Sequence, residues 1–152
     1  MADHLQQQLL DAYKATLIAA STVAGSNVFL DRVDEVPQAL LPALHIEGQA
    51  ESIESTSIDW AQLQERTYTF TVSCITGLTT GAAAAARNLA KQVEQALFAS
   101  QATRTASGKA KALRLEGSNE GKDGSAATSF YLVRQTWAVM YVTQSGIPDA
   151  NY

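Results

Sequence analysis

The chain is poor in the residues from which most catalytic and metal sites are built. Its 152 residues include one cysteine and two histidines. The lone Cys74 excludes an internal disulfide and fits a reducing compartment. His4 and His45 lie far apart, and neither has a Cys or His at ligand spacing, which argues against zinc. No G-x-S-x-G accompanies them, so a nucleophilic triad is not expected. Charge is scarce as well, at 17% of residues against about 25% in ordinary soluble proteins. A surface so short of charge is often covered by copies of itself or by partners. No run of about 18 apolar residues occurs, so no membrane-spanning helix is expected. The opening MADHLQQQLLDAYK lacks the basic start and apolar stretch of a secretory signal, which points to a protein made and kept in a cytoplasm. With 11 basic and 15 acidic residues, the net charge of −4 excludes a strongly basic, phosphate-coating nucleic-acid binder.

A 46% hydrophobic content is enough for a core, and the length suits one domain. The expected organisation is a domain over 1–144 and a tail over 145–152, broken by Gly146 and Pro148. Residues Asp3–Ser21 carry Leu5, Leu9, Ala12, Tyr13, Thr16, Leu17 and Ala20 at helical spacing, with Asp3 as the cap and Gly25 ending the pattern. Asn27–Arg32 and Ala43–Glu47 are short strand candidates on either side of a bend marked by Pro37 and Pro42. Gly48–Gln64 is polar and reads as a long loop.

Glu65–Ile75 is the clearest strand. Tyr68, Phe70, Val72 and Cys74 alternate with Thr67, Thr69, Thr71 and Ser73, giving an apolar face and a wetter, hydroxyl-rich one. A second helix spans about Thr80–Ser100, capped by Thr79 or Thr80, with Ala82, Ala86, Leu89, Ala90, Val93, Ala96 and Leu97 as its buried stripe. Ala110–Glu116 alternates again, and Gly117–Ser125 reads as a hairpin loop. Ser129–Thr143 would span roughly 50 Å as a strand and is apolar on both faces. Burial of both faces asks for helices on one side and a second cover, such as a neighbouring subunit, on the other. The fold class expected is α+β: two helices on a mostly antiparallel or mixed sheet of four to five strands.

The charges cluster. From Asp31 to Glu65 there are eight acids and one base, Arg32, for −7; from Gln101 to Arg114 there are four bases (Arg104, Lys109, Lys111, Arg114) and no acid. These are two solvated segments or two halves of a subunit boundary. Glu51 and Glu54, imagined as a catalytic pair, lie in a polar stretch with no apolar pocket residues around them to raise a pKa. Gly117–Asp123 fails as a phosphate loop, because its glycines are too close and Asp123 follows Lys122 where Ser or Thr is required. No cofactor and no catalytic or metal residue is expected. The candidate assembly residues are Glu51, Glu54, Asp59, Trp60, Arg104, Lys109, Lys111 and Trp137, with Trp60 as an aromatic anchor in a polar segment.

Taken in order, several stretches resemble the tail terminator (minor tail protein) family of long-tailed bacteriophages. They are NVFLDRVDEVPQALLPALHIEG, the acids ESIES, the strand ERTYTFTVSC, the helix ARNLAKQVEQAL, the strand ALRLEG and the long strand with TWAVMYVT. His45 stands where an aliphatic residue is expected, and the basic linker matches no family feature. The resemblance implies a non-enzymatic virion protein, assembled in the host cytoplasm. It would form a homo-hexameric ring that caps the tail tube, stops its polymerisation and offers a docking surface to the neck or head-completion protein. Genome DNA would pass through without specific contact. The readings set against it are another neck component (a tail-completion or head-closure protein) and, more remotely, a small ligand-binding α+β domain.

Overall fold

The computed structural model describes residues 3–57, 62–123 and 129–152. One mixed sheet organises the chain, in the order β1 (Val28–Leu30), β2 (Ala43–Ser55), β3 (Leu63–Gly77), β5 (Phe130–Gln144), β4 (Ala112–Asp123). β1 runs parallel to β2, and every other neighbouring pair is antiparallel. Helices α1 (Leu5–Ala19) and α2 (Ala82–Leu97) pack on one face, and a short α3 (Gln101–Arg104) follows α2. The fold is α+β on a mixed five-stranded sheet, with α3 added to the two helices expected.

The core lies between the helices and that face. Leu5, Leu9, Tyr13 and Leu17 of α1 and Ala86, Leu89, Val93 and Leu97 of α2 meet Leu44, Ile46, Phe70, Val72, Cys74, Trp137 and Val139. Tyr13 stacks on Phe70 at 5.5 Å between ring centroids, and Phe98 lies 5.3 Å from Trp137. Alanines on α2 bring its backbone close to the sheet, so that Gln135 Nε2 donates to the Ala90 carbonyl at 3.1 Å. Burial pushes the Cys74 thiol up to about 12, so it packs as a small inert hydrophobe.

Several local expectations are corrected. His4, not Asp3, caps α1: its Nδ1 accepts from the Gln6 N–H at 3.2 Å. Gly81, at φ +83, precedes α2 in place of a threonine cap. Residues 48–55 are strand and not loop, and β4 continues through Gly117 to Asp123. Both segments are polar, and their backbones are held by neighbouring strands whatever their side chains. The hydroxyl face of β3 is drier than expected, since Thr71 and Ser73 are buried. On the helix-free face of β5, Leu132, Ala138 and Val142 are also buried within the single chain. There the segment Arg32–Val36 lines a cleft of about 300 Å³ together with Ile75, Phe130 and Leu132. The tail docks rather than trailing: Leu5 N–H donates to the Pro148 carbonyl and Tyr152 N–H to the Val142 carbonyl.

Candidate functional site

Two β-bulges decide which charged side chains face the helices. In β2, Leu44, Ile46 and Gly48 share the helix face, and simple alternation would put Ala50 there next. The register instead shifts between Gly48 and Ala50, so Gln49 is the extra residue and Glu51 takes the helix face opposite Tyr68. In β4 the shift falls between Leu115 and Gly117, so Glu116 is extra and Glu120 turns toward α2.

Each switched acid finds an arginine. Glu51 Oε2 lies 3.1 Å from Arg66 Nη1, and Arg66 is only 8% exposed. Its other donors are used as well: Nε donates to Thr143 Oγ1 at 2.9 Å and Nη2 to Gln64 Oε1 at 3.0 Å. The second carboxylate oxygen of Glu51 accepts from the Tyr141 hydroxyl. Burial, reinforced by that bond, raises the Tyr141 phenol well above the ordinary tyrosine value. Burial, with Asp31 and Glu51 nearby, also raises the Tyr68 phenol. Glu120 receives a two-pronged bond from Arg87 of α2, at 2.8 and 2.7 Å. Both groups are exposed; the bond holds the Glu120 carboxyl below its usual range and raises Arg87.

Among the described residues each charged group of this first network faces a partner. A cleft of about 420 Å³ between the start of α2 and the Leu41–Pro42 bend has no titratable side chain in its lining. In the smaller cleft behind the sheet, Ser73 and His45 are cross-strand neighbours. His45 Nε2 accepts from the Arg32 N–H at 3.1 Å, and Ser73 Oγ accepts from Arg134 Nε at 3.3 Å. The pair is therefore not arranged as base and nucleophile. Among the described residues, no group of three or more His, Cys, Asp and Glu comes together to hold a metal. No helix among them is long and apolar enough to cross a membrane.

The anticipated assembly residues separate into four groups. Glu54, Arg104 and Lys111 are exposed and Lys109 is half-buried. None of these four takes part in an ion pair among the described residues. Glu51 is half-buried and committed to Arg66 within its own chain. Trp137 is 0% exposed beneath Phe98, so it is a core residue and presents no surface to a partner. Asp59 and Trp60, and with them the proposed aromatic anchor, lie outside the described residues.

The two charge clusters occupy opposite edges of the sheet. Asp31, Asp34 and Glu35 follow β1, and Glu47 and Glu54 lie on β2. Arg114 lies on β4, on the far edge, and Lys109 and Lys111 lie in the turn just before it. Sequence reasoning missed Arg66, Tyr141, Arg87 and Glu120 as structural partners. Arg66 alone left a signal, because it falls in phase with Tyr68, Phe70 and Val72 and was bound to need an internal counter-charge.

No protein-family model matches the chain, and no curated protein matches it significantly. Among solved structures it is similar to a chain described as the virion of a native gene transfer agent particle. That likeness is 22% identical with a TM-score of 0.47, and covers 90% of this chain and 91% of the other. At that level it decides nothing about this chain's function.

Proposed function

We propose that this chain is a structural protein of a tailed-phage-like virion and acts as a tail terminator. Copies assemble head to tail into a ring that caps the tail tube, halts its growth and receives the neck. The observation that carries this reading is the opposed charge of the two sheet edges. An acidic edge and a basic edge on one chain make a heterologous contact, which closes into a ring when the rotation between copies allows. The order of elements agrees with the resemblance drawn from NVFLDR through TWAVMYVT. The net charge of −4 suits a ring through which DNA passes, because affinity for DNA comes mainly from cationic side chains.

The test is removal of the gene from a particle that carries it, with tail lengths measured by electron microscopy. Overlong tubes support the terminator. Tails of normal length that fail to join heads would assign the protein to another neck component, and unaffected particles would end the virion reading.

A further inference from the structure

The two outer strands of the sheet are open along stretches that overlap over three rungs, Ala50–Ser52 of β2 and Ala112–Arg114 of β4. β1 covers β2 only at Leu44–Ile46, and Asp31 Oδ1 takes the Gly48 N–H. From Ala50 to Ser55 the outer edge of β2 has no backbone partner among the described residues, and neither has the outer edge of β4 from Ala112 to Gly117. Neither stretch contains proline, a usual protection of exposed edges. The register places Ala50, Thr69, Ala138 and Arg114 in one row across four strands and Ser52, Thr67, Met140 and Ala112 in another, so the open stretches stand level between these two rows. β2 and β5 both run antiparallel to β3, and β4 runs antiparallel to β5, so β2 and β4 point in opposite directions.

We propose that the open edge of β2 in one copy adds antiparallel to the open edge of β4 in the next, joining the sheets of neighbouring subunits at the Ala50–Arg114 row. The occupant is a second copy of this chain because the two edges are complementary in polarity, level and charge. Arg114 shares the helix-free face with Glu47 and Glu54, and Glu47 becomes its diagonal neighbour across the joint. The present partner of Arg114, Glu116 at 3.0 Å, is an exposed contact that exchanges at little cost. Lys111 meets the same acidic edge, and Ile53, 48% exposed, is the large apolar side chain that β2 presents there. The inference rests on the ring reading and adds its register.

Single variants Ala50→Cys and Arg114→Cys test it by oxidation. Within one chain these positions are three strand spacings apart, about 14 Å, beyond the roughly 7 Å limit for a disulfide. A mixture of the two variants should give a covalent dimer on a non-reducing gel, whereas either alone should not. The double variant should give a ladder that ends at the ring number. Lys122→Cys in place of Arg114→Cys, about seven rungs or 23 Å along β4, should give none. Arg114→Glu should weaken assembly of the full chain at least tenfold, and Glu47→Arg added to it should restore assembly. Native mass spectrometry of the unaltered protein separates the two ideas. A ring without the Ala50–Arg114 cross-link, or with an equal one at Lys122, overturns the edge pairing and leaves the ring standing. A monomer at every concentration overturns both.

Discussion

Glu51 and Arg66, fifteen residues apart on adjacent strands, form an ion pair at 3.1 Å that exists because Gln49 is an extra residue in β2. Without the bulge, Glu51 would face away from the helices and Arg66 would be a buried charge without a counter-ion.

Removing one partner should therefore hurt more than removing both. Arg66→Ala leaves the Glu51 carboxylate sheltered and unpaired, and should cost about 3 kcal/mol in urea unfolding. The double variant Glu51→Gln with Arg66→Met should lose less than the sum of its single changes. Additive losses would mean that the two groups do not interact.

Gly48 is required by Tyr68. A Cβ at Gly48 would clash with the Tyr68 hydroxyl and sit 3.0 Å from its ring carbon Cζ. Gly48→Ala should destabilise the fold by about 1–3 kcal/mol through overpacking. Tyr68→Phe in the same chain should recover much of that loss, because it removes the closest atom. Equal thermal stability of Gly48→Ala with and without Tyr68→Phe would refute the contact.

Trp137 tests the core directly. Trp137→Ala should cost about 3–5 kcal/mol. Trp137→Phe should cost less, since the buried indole N–H has no hydrogen-bond partner among the described residues and its loss leaves nothing there unpaired. Chemical denaturation of the two variants checks the order.

His45 should make stability fall at mildly acid pH. Burial is the main cause that lowers its pKa from the ordinary 6.5, with Arg134 and Arg32 adding to it against Glu47 and Asp31. The unfolded chain thus binds the proton more readily than the folded one. The contribution of the neutral ring, whose Nε2 accepts from the Arg32 N–H, is complete above pH 6.5 and is lost as pH falls through the lowered value. Melting temperatures of the wild type should drop across that window more than those of His45→Gln, which has nothing to titrate. Parallel curves would reject the assignment.

Legibility followed the alternation of side chains. β3 was readable because Tyr68, Phe70, Val72 and Cys74 keep an unbroken period of two, and α2 because its stripe from Ala82 to Leu97 repeats at helical spacing. The polar halves of β2 and β4 were not readable, since GQAESIES and GSNEGKD contain the residues that loops use. Their backbones are strands only because β3 and β5 supply the partners.

The amino-acid order alone determined the α+β class, the two main helices, the central strand and the division of charge into an acidic and a basic segment. These are local properties, carried by side-chain period and composition within a dozen residues. Tertiary structure alone decided that the two charged segments stand on opposite edges of one sheet, that Glu51 meets Arg66, that Glu120 meets Arg87 and that Trp137 is interior. Each depends on strand order or on a one-residue bulge, and a shift of one residue sends every later side chain to the other face.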